Sequence, residues 1–223
     1  MNRQLLAQAL TKFILGFVLI SLLLFLPAGT IFFRNGWLFI GLLFIPMLIV
    51  GIVLMLRNPY LLEKRLNAKE TESKQKTVLL LSGIMFLSAF ILAGLNHRFG
   101  WIVMPDWAIG ASSAVFFSAY LMYAEVLREN TYLSRTVEVQ KDQKVIDTGL
   151  YGIVRHPMYT STIFLFTSAG LVLGSPVSFA VLLVYVPIIV MRIRSEEKVL
   201  AKELPGYDSY MKKVKYRLIP FIW

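Results

Sequence analysis

The residues best suited to chemistry lie in the last third of the chain. The run Gly149-Leu150-Tyr151-Gly152-Ile153-Val154-Arg155-His156-Pro157-Met158-Tyr159 places two tyrosines, an arginine and a histidine directly ahead of a long apolar stretch. Pro157 suits the first turn of a helix, where its missing N–H costs nothing. Free N–H groups at such a helix start, helped by the helix dipole, can hold a carboxylate-bearing ligand. The same residues equally suit an anchor at headgroup depth. Further on, Met191-Arg192-Ile193-Arg194-Ser195-Glu196-Glu197-Lys198-Val199-Leu200 sets Arg192 and Glu196 four apart, on one helix face. Either they pair with each other, or they grip opposite parts of a zwitterionic cofactor and an anionic substrate. No Ser-His-Asp or Cys-His set accompanies them. The absence of cysteine excludes disulfides, thiolate metal sites and a cysteine nucleophile, and no metal centre is expected.

The elements that must position these groups follow from composition. Of 223 residues, 57% are hydrophobic and 16% charged, against about 25% charged in soluble domains. The apolar residues also cluster, so the chain reads as an integral, multi-pass membrane protein of all-α class. Spanning-length segments fall at 13–33, 36–56, 77–96 and 107–127. A fifth stretch, 158–191, is too long for one crossing and contains Gly174-Ser175-Pro176, which permits a tight reversal. A C-terminal helical hairpin there gives about six transmembrane helices.

That count places the N-terminus, the 57–76 and 128–157 connections and the tail after Met191 on one face. These hold all of the 23 Lys and Arg except Arg34 and Arg98. By the positive-inside rule this face is cytoplasmic, with both termini there, and the expected location is the plasma (inner) membrane. The net charge of +10 then reads as topology and contact with anionic membrane lipids, not nucleic-acid binding. No cleaved signal peptide is expected, because the first apolar run is too long.

Elsewhere the sequence is quiet. Glu125, with Arg128 and Glu129, reads as a solvated cluster at a helix end, and His97 as a surface residue. Trp37, Trp101 and Trp107 suit interfacial anchors. Within 57–76, Glu and Lys mix around Leu61, Leu62 and Leu66, which suits either a short amphipathic surface helix or a solvated linker. Tyr207 and Tyr210, at i,i+3, are expected to cover apolar surface. The Gly170-x3-Gly174 spacing is expected to serve packing inside the hairpin.

The run from Gln140 to Trp223 resembles the isoprenylcysteine carboxyl methyltransferase and phospholipid methyltransferase group of integral membrane enzymes. The matching pieces are Gly149-x-Tyr151-x3-Arg155-His156-Pro157-x-Tyr159, the hairpin, Glu196-Glu197-x2-Leu200, Gly206-x3-Tyr210 and Arg217-x2-Pro220-Phe221. The division expected is a four-helix region over 1–130 and a methyltransferase-like region over 131–223. The resemblance implies S-adenosyl-L-methionine bound at the cytoplasmic interface. It puts Gln140 and the segment Gln143-Lys144-Val145-Ile146 on the cofactor, with Tyr151, His156, Pro157, Met158 and Tyr159 lining the same pocket. Glu196 would contact the cofactor, at its amino group, and Arg192 matches the position that holds a substrate carboxylate.

The implied reaction is methyl transfer to a lipid-like or hydrophobic acceptor, a prenylcysteine-type carboxylate first among them. In-line displacement at a sulfonium depends chiefly on alignment and desolvation, and a carboxylate acceptor needs no general base. A hydrophobic small molecule or lipid-modified substrate would arrive from the bilayer. Two other classes remain at this point: an NADPH-dependent membrane reductase of the sterol reductase type, and a non-catalytic lipid-binding protein. The acceptor and the oligomeric state are not fixed by the sequence.

Overall fold

The computed structural model describes residues 3–67, 73–133, 139 and 142–223. Gln140 lies outside these residues. Among them the chain is helical throughout, with no strand. Helices α2 (Arg34–Arg57), α4 (Ser73–Phe99) and α5 (Asp106–Glu129) cover three of the four predicted spans, α1 (Arg3–Ala28) covers the first only as far as Ala28, ending before Gly29 at φ +67, and α3 (Pro59–Asn67) lies between α2 and α4. A 3₁₀ turn at Gly149–Gly152 precedes α6 (Pro157–Val172), α7 (Pro176–Leu182), α8 (Tyr185–Glu203) and α9 (Tyr207–Lys213).

Among the described residues, five segments are long and apolar enough to cross a membrane: α1, α2, residues 76–99 of α4, α5, and α7–α8 taken together. The first arm of the hairpin, α6, falls short of that length at 16 residues, about 24 Å of rise. Its tip nonetheless reaches the level of the α4–α5 connection. Asn96 Nδ2, near the end of α4, donates to Gly174 O at 3.2 Å and to Ile102 O at 3.0 Å. The hairpin therefore runs the depth of the bundle and returns, and both its ends sit on the basic face.

The reversal is built as the Gly-Ser-Pro signal demands. Gly174 adopts φ +70, the left-handed conformation that only glycine enters without strain. Ser175 N bonds Gly170 O and Gly174 N bonds Leu171 O, both at 2.9 Å, the paired closure of a Schellman motif. Ser175 then caps α7, its Oγ accepting from Ser178 N at 3.1 Å, and Pro176 occupies the first turn. Gly170 faces the Phe179 backbone, so the Gly170/Gly174 pair packs the hairpin against itself.

The core runs through the bundle as interlocked aromatics, Phe39 meeting Phe90 and Phe116 at 5.6 and 5.8 Å. Outside it, residues such as Leu26, Phe32 and Leu56 are broadly exposed, a surface suited to hydrocarbon. The amphipathic reading of the 57–76 segment holds for α3, which buries Leu61 and Leu62 and exposes Glu63.

Candidate active site

At the basic end of the hairpin, three pieces of chain enclose a cleft with about 830 Å³ of empty space, open mouth included. One wall is the hairpin base, with His156 just ahead of α6, Met158 and Tyr159 from α6, and Arg192, Glu196 and Leu200 from α8. A second is the segment Gln143-Lys144-Val145-Ile146 with Tyr151. The third comes from the tail, with Leu204, Tyr207 and Tyr210, and Asn130, Tyr132 and Leu133 complete the lining beyond α5. Every described residue that the resemblance assigns to cofactor or substrate, except Pro157, thus faces one cavity. Pro157 is buried instead and starts α6.

Arg192 and Glu196 share a helix face, and the hydroxyl of Tyr159 stands between them. Arg192 Nε donates to Tyr159 Oη at 2.8 Å, and Tyr159 Oη donates to Glu196 Oε2 at 2.5 Å. Arg192 is buried and Glu196 half-buried. Cation, phenol and carboxylate form a chain along the cleft that can meet a positive group at one end and a negative group at the other.

The helix start keeps little of its N–H capacity open to a ligand. Pro157 has no N–H, and the N–H groups of Tyr159 and Thr160 bond His156 O at 3.0 and 3.1 Å. The tail instead closes over this end: Arg155 N and His156 N donate to Tyr216 O and Arg217 O, both at 2.9 Å. Thr160 Oγ1 reaches Leu218 O at 2.8 Å.

Beneath the cleft, Glu197 ties tail and hairpin together. Its carboxylate accepts from Arg155 Nε and Arg217 Nε, each at 2.8 Å, and lies 3.3 Å from His156 Nε2. Arg155 Nη1 also donates to Val214 O at 2.7 Å and Lys215 O at 3.0 Å. Three cationic or imidazole groups on one buried carboxylate satisfy its lone pairs, the condition under which a buried charge is tolerated. One ring nitrogen of His156 is thereby directed at Glu197 while the ring lines the cleft.

Glu129 is likewise more than part of a solvated cluster. Glu125 and Arg128 form the expected exposed pair, but Glu129 turns away and accepts from Leu150 N at 3.0 Å. Gly149 makes room for it: a Cβ there would lie 1.6 Å from Glu129 Oε1. Tyr151 is fixed from two sides, its hydroxyl receiving Asn130 Nδ2 at 3.0 Å and its carbonyl receiving Tyr210 Oη at 2.7 Å.

Tyr207 and Tyr210 cover apolar surface as expected, packing with Leu204 and Val214, and both also line the cleft. Burial raises the phenols of Tyr151, Tyr207 and Tyr210 above their ordinary value, so all three remain hydrogen-bond donors at neutral pH. The hydroxyl of Tyr207 is buried and has no hydrogen-bond partner among the described residues. At the rim, Lys213 bonds Asp147 at 2.6 Å and holds its carboxyl below the usual range.

Arg155, Glu197, Arg217, Glu129 and the tail tyrosines are the contributors that sequence reasoning placed in the motifs or clusters without a role. The adjacent glutamates and the repeated tyrosines were the available signals.

Residues 110–202 match the isoprenylcysteine carboxyl methyltransferase (ICMT) family. The match starts within α5 and ends in α8, so it takes in both hairpin arms, Tyr159, Arg192 and the two glutamates. It begins upstream of the resemblance traced from Gln140 and stops short of Leu204, Tyr207, Tyr210 and Arg217. No curated protein matches the chain.

Proposed function

We propose that this protein is an S-adenosylmethionine-dependent methyltransferase that esterifies the carboxylate of a lipid-like acceptor at the cytoplasmic face of the membrane. The observation that carries the reading is the Arg192–Tyr159–Glu196 chain lining one cleft within the family-matched segment. The residues present fit the cofactor. Glu196 offers a carboxylate to an ammonium group, the orphan hydroxyl of Tyr207 offers a buried donor, and Val145, Ile146 and Leu204 offer apolar contact to a flat ring.

When bound, the cofactor supplies an electrophilic methyl group on a sulfonium. Arg192 holds the acceptor carboxylate through its planar guanidinium, which suits two-point binding, and orients one oxygen toward that methyl. Transfer to that oxygen would make an O–CH₃ bond at the expense of the S–CH₃ bond and would leave a neutral ester and a thioether, so no residue of this chain would have to take up a proton. Tyr159 fixes the distance between Arg192 and Glu196, so that the two ends of the reaction are set by one helix turn of α8. The tail and the 142–151 segment keep bulk water from the reacting atoms, the desolvation that charge-neutralising transfer favours.

Calorimetric titration of S-adenosylmethionine into the detergent-purified protein, with Glu196→Ala as control, tests this. Micromolar binding that weakens about tenfold or more in the variant is expected, as for loss of a hydrogen bond to a charged group. Binding of NADPH without S-adenosylmethionine would overturn the reading, as would equal affinities in wild type and variant.

A further inference from the structure

A second arginine enters the bundle from the other side. Arg65 belongs to α3, which is anchored by buried Leu61 and Leu62 and capped by Asn58, whose Oδ1 accepts from Leu61 N at 3.1 Å. Its guanidinium reaches α5, where Nη2 donates to the hydroxyl of Tyr123 and the guanidinium carbon lies 5.5 Å from that ring's centroid. Nη1 is buried and has no hydrogen-bond partner among the described residues. A buried cationic N–H without an acceptor is costly, and an unsatisfied group of this kind marks a place where something else binds.

The surroundings point toward the cleft. The Tyr123 ring packs on Tyr120 at 6.4 Å and on the cluster that contains Tyr151.

We propose that Arg65, with Tyr120 and Tyr123, is an anion-binding subsite for the carboxylate or phosphate head of an amphiphile drawn from the bilayer. The free edge of the guanidinium takes an anionic oxygen, while Tyr123 holds the other edge in register. That this amphiphile is the methyl acceptor on its way to Arg192 rests on the function proposed above; the anion site itself does not.

The test uses the full-length protein in neutral detergent, titrated with dodecanoate, dodecyl phosphate and dodecanol. Dodecanoate or dodecyl phosphate should bind, with dodecanol at least about tenfold weaker, and Arg65→Gln should weaken anion binding about tenfold or more. Arg65→Lys should retain part of the affinity, and Tyr123→Phe should lose less than Arg65→Gln. Equal binding of dodecanol, or unchanged anion affinity in Arg65→Gln, would overturn the proposal. Displacement of dodecanoate by phosphatidylglycerol vesicles identifies a membrane phosphate as the ligand, and resistance to displacement identifies a carboxylate acceptor. Titration of S-adenosylmethionine into the same variants separates the two claims. Its affinity should not change in Arg65→Gln, and if it fails to bind at all, the anion result stands by itself.

Discussion

The first and last thirds of the chain solve different problems with the same helical material. Helix α1 buries three of its 26 residues, Leu5, Leu24 and Ala28, whereas α6 buries nine of 16. Between α1, α2 and α3 lies an apolar groove in which Lys12 is the one charged group among the described lining residues, and its ammonium bonds the carbonyl of Leu66. At the hairpin base, Arg155, His156, Arg192 and Glu197 are all buried and bonded to one another or to Tyr159. The contrast teaches where geometry is held tightly. In lipid, apolar contact between helices gains little over contact with acyl chains, so the N-terminal helices are loosely specified. The hairpin and tail are fixed by charge and hydrogen bonds, which demand particular partners.

Removing the centre of that network should have the largest effect. Glu197→Ala leaves Arg155 buried beside Arg217 with no counter-charge, and breaking a buried pair in this way costs about 3–5 kcal/mol. The expected result is a lowered unfolding temperature in detergent, together with faster hydrogen exchange over residues 214–223 as the tail is released. Lys12→Ala in the other region should change stability by no more than about 0.5 kcal/mol. Similar losses from the two substitutions would erase the distinction.

A pair of glycine substitutions sharpens it further. At Gly170 a Cβ would lie 2.4 Å from the Phe179 backbone nitrogen, while at Gly51, lining the groove, it would meet nothing within 4 Å. Backbone cannot move aside as a side chain can, so Gly170→Ala should destabilise by about 1–3 kcal/mol. Gly51→Ala should be neutral or stabilise by up to about 1 kcal/mol through helix propensity. Thermal unfolding of both variants, measured under one condition, decides whether the hairpin is as closely specified as its contacts indicate.

The same contrast governs what the sequence reveals. Membrane helices announce themselves because hydrocarbon requires long uncharged runs, and Gly174-Ser175-Pro176 marks the reversal by backbone chemistry alone. Arg192 and Glu196 are legible from their spacing, and Tyr159 from its motif. Glu197 is harder to read: neighbouring residues on a helix point about 100° apart, and its partner Arg217 arrives only when the tail folds back. Glu129 and Arg65 are harder still. Their partners, Leu150 and Tyr123, are far away in sequence and are brought close by packing that no local pattern encodes. The length of α6, by contrast, is legible, because Pro157 marks its start and Gly174-Ser175-Pro176 its end.

The smallest effect is expected at the rim, where the tail meets the 142–151 segment through Asp147 and Lys213 at 2.6 Å. Both side chains are well exposed, so the pair is screened by solvent and salt and contributes little. Its sign is still defined. The hydrogen bond and charge of Lys213 lower the Asp147 carboxyl below its ordinary value, which in the unfolded chain is about 3.9. The contribution is therefore fully present above about pH 4 and is lost as the pH falls through the lower, folded value. The difference in unfolding temperature between wild type and Asp147→Asn should be small and constant from about pH 5 to 8, and should vanish in stronger acid. A difference that instead grew as the pH fell would mean that the tail is held by Asp147 in its protonated form. The rim would then belong with the buried network rather than with the solvated surface.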